Sequence, residues 1–94
     1  MVGGLGLKPI VMIILENCPH CKNARRWMEE LKQDNPQYQV LQVEMIDEKL
    51  HPEVIQTYSY YYVPTYYVDG VKVHEGVPTK EIVCSVFEQA LSQK

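Results

Sequence analysis

The chain lacks any apolar run of membrane length. Its most apolar stretch, Ile10-Val11-Met12-Ile13-Ile14-Leu15, holds six residues, against the ~20 that a spanning helix needs. It also lacks the charged head, apolar middle and small-residue cleavage site of a secretory signal. No membrane association and a cytoplasmic location are therefore expected. A basic stripe is absent too. The net charge is -3, which argues against a nucleic-acid partner. Lys22, Arg25 and Arg26 form only a local patch, read as the solvated face of a helix. There is no internal repeat, no low-complexity tract and no linker, so 94 residues make one domain. Residues 1–7 are glycine-rich and read as a flexible lead-in, and residues 8–94 as the domain. Cysteine is scarce, at three. With no second CxxC and no spaced His/Cys pair, a four-ligand zinc site is not supported, and no metal is expected.

Two of the three cysteines fall in Cys18-Pro19-His20-Cys21. This segment follows the apolar run and opens a helical pattern at Pro19. A thiol at a helix start faces unpaired backbone N–H groups and the positive end of the dipole. Those favour the thiolate, the nucleophile of disulfide exchange. Thiols in a reducing compartment are more often catalytic or metal-binding than structural. The arrangement therefore points to a dithiol redox site, with a metal-binding or metallochaperone module as the alternative from a different class.

Hydrophobic spacing sets out the remaining elements. Ile10–Leu15 reads as a strand buried on both faces. Ala24, Trp27, Met28 and Leu31 make the stripe of a helix that Asp34-Asn35-Pro36 ends. Residues 38–45 read as a second strand, parallel to the first because a helix intervenes. Pro52 opens a short helix reaching about Tyr58. Residues 65–68 and 71–74 read as a hairpin around Asp69-Gly70. Ile82, Val83, Val86, Phe87, Ala90 and Leu91 form a last helix. The expected fold is α/β, in the order βαβαββα, with a mixed four-stranded sheet, the first strand central and helices on both faces.

This order, with Cys18-Pro19-His20-Cys21 at the first strand–helix junction and Val63-Pro64-Thr65 before the hairpin, resembles the thioredoxin superfamily. The resemblance runs from about Lys8 to Leu91. The chain has no extra N-terminal strand and helix, so its layout is more similar to the glutaredoxin type. The resemblance implies a thiol–disulfide oxidoreductase acting on protein, peptide or small-molecule disulfides. Cys18 would be the nucleophile and Cys21 the resolving thiol, with Pro19 and His20 tuning the couple. It implies a cis Val63–Pro64 bond, with Val63, Pro64 and Thr65 receiving an extended substrate segment by strand addition. It implies no cofactor beyond the dithiol itself, with a flavin- or NADPH-dependent reductase, or glutathione, as electron donor, and a monomeric protein.

Departures from the family pattern sharpen these expectations. Thioredoxin carries a buried Asp six residues before its first cysteine, where this chain has Met12. Glu16, water or the Cys18 sulfur would then take the Cys21 proton. Glutaredoxins hold glutathione with a Gly-Gly pair and a nearby Asp, where this chain has Gly76-Val77-Pro78-Thr79-Lys80. A glutathione-dependent glutaredoxin is thus the second reading. Six of the seven tyrosines lie between residues 58 and 67. Tyr66 and Tyr67 must point to opposite faces of their strand, while Tyr61 and Tyr62 are candidates for an aromatic rim around the thiol. Cys84 reads as a small, partly buried residue beside an apolar stripe, with a second reactive thiol as the alternative. His51 and His74 are given no role.

Overall fold

A computed structural model describes residues 7–91; the expected lead-in lies outside the described residues except for Leu7. The elements are β1 (Ile10–Ile14), α1 (Pro19–Asp34), a 3-10 helix (Pro36–Val40), β2 (Val43–Asp47), α2 (Pro52–Ile55), β3 (Thr65–Val68), β4 (Val71–Glu75) and α3 (Lys80–Leu91). The sheet order is β2-β1-β3-β4. β1 runs parallel to β2 and antiparallel to β3, and β3 is antiparallel to β4. The mixed four-stranded sheet is thus the expected one, with β1 in its interior.

Periodicity explains the packing. Cys21, Ala24, Met28 and Leu31 are the buried positions of α1, and Val83, Val86, Phe87 and Ala90 those of α3. Both stripes join one apolar cluster with Ile10, Met12, Ile14, Tyr66 and Val68 of the sheet. Each large side chain so buried contributes about 1.5–3 kcal/mol. The alternate residues of the central strands, Ile13, Thr65 and Tyr67, are also buried, on the opposite face. The segment carrying α2 covers that face. The rings of Tyr58 and Tyr67 lie 4.8 Å apart, and the Tyr67 hydroxyl donates to the Ser59 carbonyl at 2.8 Å. Helices flank both faces, but one side carries two long ones and the other a single turn backed by aromatic rings.

Two boundaries differ from the sequence reading. Residues 38–45 were expected as one strand; instead Pro36–Val40 is a 3-10 helix and β2 begins at Val43. Pro36 supplies a preset φ for that turn. Tyr38 is buried within it, its ring 5.2 Å from Phe87 in an edge-on contact. The aromatic that suggested a strand is therefore a plug between the turn and α3. The helix at Pro52 closes at Ile55 rather than Tyr58, although single-turn bonds continue to Tyr58 through Thr57 N–H to Val54 carbonyl and Tyr58 N–H to Ile55 carbonyl. The hairpin is as expected. Asp69 and Gly70 both have positive φ, at 53° and 80°, which a tight two-residue turn between twisted strands requires.

Candidate functional site: a dithiol at the start of helix 1

β1 ends at Ile14 and the chain turns through Leu15, Glu16 and Asn17 into α1. The turn is closed by the Cys18 N–H donating to the Leu15 carbonyl at 3.0 Å. Cys18 is the N-cap residue with extended backbone, and no side-chain hydrogen bond caps the helix. Pro19 follows at the first helical position, where its missing N–H costs nothing. The Lys22 N–H donates to the Cys18 carbonyl at 3.1 Å, closing the first turn. Cys18 is half-buried, and Pro19 and His20 are exposed. Among the described residues no hydrogen bond joins His20 to Cys18. One turn in, Cys21 is fully buried. Both are free thiols.

The two sulfurs differ in surroundings. Burial pushes the Cys21 thiol up to about 11 from an ordinary 9.0. A backbone hydrogen bond at Leu15 opposes that shift, the neighbouring Cys18 sulfur reinforces it, and the Arg25 guanidinium opposes it. Cys21 therefore stays protonated at neutral pH until something draws it into reaction. Glu16, one of the expected proton acceptors, is exposed and is not among the groups acting on Cys21. Arg25 is, although the sequence reading assigned it to a solvated patch. Its signal was the i,i+4 spacing from Cys21, which stacks the two on one helix face.

The second half of the site comes from the loop before β3. The Val63–Pro64 bond is cis. Ile13 pairs with Thr65, so continuing that register sets Pro64 opposite Ile14 and Val63 opposite Leu15, just before Cys18. Pro64 is buried. Val63 and Cys18 are both half-buried and pack against the same cluster. Thr65 is buried, its hydroxyl donating to the Tyr62 carbonyl. Tyr61 and Tyr62 are exposed, at 88% and 69%. Their rings are free, but their backbone is not. Both N–H groups donate to the Glu75 carboxylate, Tyr62 at 2.9 Å. Glu75 also pairs with Lys72 at 2.8 Å. That ammonium, followed by the two amides, holds the Glu75 carboxyl at about 2, below its ordinary 4.5. Glu75 carries no local sequence signal for this role, since its amide partners lie in a distant segment.

The structure thus brings Cys18, Cys21, Val63 and Pro64 together at the carboxyl end of β1, with Thr65 beneath the loop and Tyr61 and Tyr62 on its rim. Cys84 lies elsewhere. It is half-buried on α3, its sulfur 3.4 Å from the Tyr38 hydroxyl, which donates to the Glu88 carboxylate. His51 caps α2 without a side-chain bond, and the His74 ring lies 3.1 Å from the Gly76 carbonyl. Among the described residues no three His, Cys, Asp or Glu side chains converge as metal ligands, and no helix is long and apolar enough to cross a membrane. A cleft of about 550 Å³ opens at the far end of β1, lined by Pro9, Ile10, Leu41 and Val43 among others; it holds none of the site residues.

Residues 10–88 match the family described as Thioredoxin domain. The chain belongs to the thioredoxin superfamily. A thioredoxin of Methanocaldococcus jannaschii is 32% identical over 74 residues, which cover 79% of this chain and 85% of that one. Among solved structures, oxidised thioredoxin from Plasmodium falciparum aligns with a TM-score of 0.68 at 21% identity, covering 90% of this chain and 82% of that one. Fasciola hepatica thioredoxin aligns with a TM-score of 0.63 at 19% identity, covering 89% and 82%. The two structures support the thioredoxin fold seen here. The fold and the superfamily expected from the dithiol and the Val-Pro-Thr step are thus the observed ones.

Proposed function

We propose that this protein is a thiol–disulfide oxidoreductase that reduces disulfides in proteins or peptides. Cys18 attacks a substrate disulfide and forms a mixed disulfide. Cys21 then attacks the Cys18 sulfur, the substrate leaves as a thiol, and the Cys18–Cys21 disulfide remains. The dithiol is its own redox group and needs no bound cofactor. A flavin- or NADPH-dependent reductase, or glutathione, would regenerate it in a reducing cytoplasm, with the protein working as a monomer.

The observation that carries this reading is the pairing of one partly exposed free thiol with one fully buried free thiol across the first turn of α1. Attacker and resolver need that asymmetry. The loop adds support. Among the described residues, nothing hydrogen-bonds to the Val63 amide or carbonyl, so its backbone is free to pair with an extended segment. The exposed Tyr61 and Tyr62 rings offer apolar area beside it. His20, exposed next to Cys18, supplies a donor toward a sulfur anion and would make the couple more oxidising.

Protein and peptide substrates are favoured over glutathione by the start of α3. The Thr79 hydroxyl accepts the Ile82 N–H at 3.1 Å as a helix cap. Lys80 is paired with Glu30 at 3.0 Å. Neither offers the acidic contact that would hold the glutathione amine. The test uses Cys21→Ser with two substrates, a disulfide-bonded peptide and a glutathionylated peptide. The proposed reading expects the variant to lose turnover on the first and accumulate a Cys18 mixed disulfide visible by mass. Full turnover of the glutathionylated peptide by the same variant would instead establish the monothiol, glutathione-dependent route.

A further inference from the structure

The buried thiol lacks the carboxylate that assists it in thioredoxin, and the layer beneath it holds an unused polar group. Tyr66 lies on β3 directly opposite Met12 on β1. Its side chain is completely buried, in the same cluster as Met12 and Cys21. Its hydroxyl has no hydrogen-bond partner, the one such buried side-chain atom among the described residues. An orphaned buried hydroxyl destabilises the fold, and a phenylalanine would fill the space without that cost. The group that reaches it electrostatically is Cys21. The buried residues of α3 in this cluster, Val83, Val86, Phe87 and Ala90, are all apolar, while its Cys84 and Glu88 are engaged with Tyr38. The other groups that act on Cys21 are a backbone hydrogen bond at Leu15, the Cys18 thiol at the helix start and Arg25 of α1.

We propose that Tyr66 is a positioning residue for the resolving thiol: its hydroxyl, idle in the dithiol state, donates a hydrogen bond to the Cys21 sulfur as that sulfur becomes anionic. The proposal rests on the oxidoreductase reading above. In the step it serves, Cys21 loses its proton to solvent and its sulfur attacks the Cys18 sulfur. The Cys18–Cys21 bond forms and the bond from Cys18 to the substrate sulfur breaks. The electron pair leaves with the substrate thiolate, which takes a proton from water. The dithiol is oxidised by two electrons and the substrate disulfide reduced by two. Tyr66 keeps its own proton throughout. The hydroxyl thus stands in for the missing carboxylate, by donating to the anion rather than by accepting the proton.

The experiment follows reduced protein mixed with an aromatic disulfide whose thiolate is coloured, such as Ellman's reagent. The first coloured thiolate reports capture by Cys18, and the second reports resolution by Cys21. Tyr66→Phe removes only the hydroxyl. It is expected to leave the first phase unchanged, slow the second about tenfold, the effect of one hydrogen bond to a charged group, and move the pH profile of that phase upward. Met12→Leu perturbs the same layer but keeps the hydroxyl, and is expected to leave that pH profile in place. An unaltered second phase in Tyr66→Phe would overturn the proposal. So would equal slowing in both variants, which would mark a packing effect. Absence of both phases in the unsubstituted protein would instead remove the oxidoreductase reading itself.

Discussion

Cys21 and Cys84 are chemically the same side chain on two helices that share one core, yet only one of them has a sulfur partner. Cys21 lies one turn into α1 with the Cys18 sulfur beside it. Cys84 sits in the first half of α3, its sulfur 3.4 Å from a tyrosine hydroxyl. The difference lies in what the helix start and the neighbouring loop bring together. A thiol at a helix opening, beside a second thiol and an unpaired strand-like backbone, can capture and release. A thiol within a helix whose sulfur touches a phenol has no second sulfur beside it to exchange with.

The sharpest way to break that comparison is to remove each thiol separately. Cys18→Ser is expected to abolish measurable reduction of a disulfide-bonded peptide, because the sulfur that forms the mixed disulfide is gone. Cys84→Ser is expected to stay within about twofold of the unsubstituted protein, because nothing at the dithiol touches it. Turnover assays of both variants, side by side, decide this.

A smaller effect at the buried thiol depends on pH. Cys21 titrates higher in the folded protein, at about 11, than its ordinary 9.0. The folded state thus holds that proton more tightly. The resulting stabilisation of the reduced protein is complete below pH 9 and is lost as pH rises through 11. Urea unfolding midpoints of reduced protein are expected to fall across that window, and Cys21→Ala to flatten the fall.

Much of this architecture could be read from the residues alone. The CxxC placed at the end of an apolar run, the three- and four-residue stripes of α1 and α3, and Asp69-Gly70 all have local causes, so they were legible. Tyr38 was not. Its neighbours read as an alternating strand, and only the contact with Phe87 of α3, far along the chain, makes a 3-10 turn the better solution. The same limit hid Glu75, whose two amide donors lie 13 and 14 residues back, and Tyr66, whose significance depends on facing Met12 across the sheet. Pairwise chemistry between distant segments leaves no spacing signature. Arg25 is the exception, since its i,i+4 relation to Cys21 is a local signal.

Glu75 extends the comparison from the thiols to the loop that serves one of them. Glu75→Gln keeps the size but weakens the grip on the Tyr61 and Tyr62 amides. It is expected to raise KM for a disulfide-bonded peptide roughly fivefold, about one hydrogen bond, and to leave reduction of a small aromatic disulfide unchanged. Because the carboxyl is held near 2, the grip is fully present above its ordinary 4.5 and is lost as pH falls toward 2. The smallest effect belongs to the Cys84 side. Tyr38→Phe removes the hydroxyl bonded to Glu88 and touching the Cys84 sulfur. It is expected to cost about 1 kcal/mol in chemical denaturation, to speed alkylation of Cys84, and to leave disulfide exchange untouched.

Thiol mapping after equilibration in a glutathione redox buffer measures the dithiol most directly. Reduced protein is incubated across a series of buffer potentials, acid-quenched, alkylated and mapped by peptide mass. Cys18 and Cys21 are expected to disappear from the alkylated pool together, as one two-electron couple, while Cys84 remains alkylated throughout. Oxidation that consumes Cys84 in step with either of them, or that leaves Cys18 and Cys21 independently alkylated at every potential, would contradict the account.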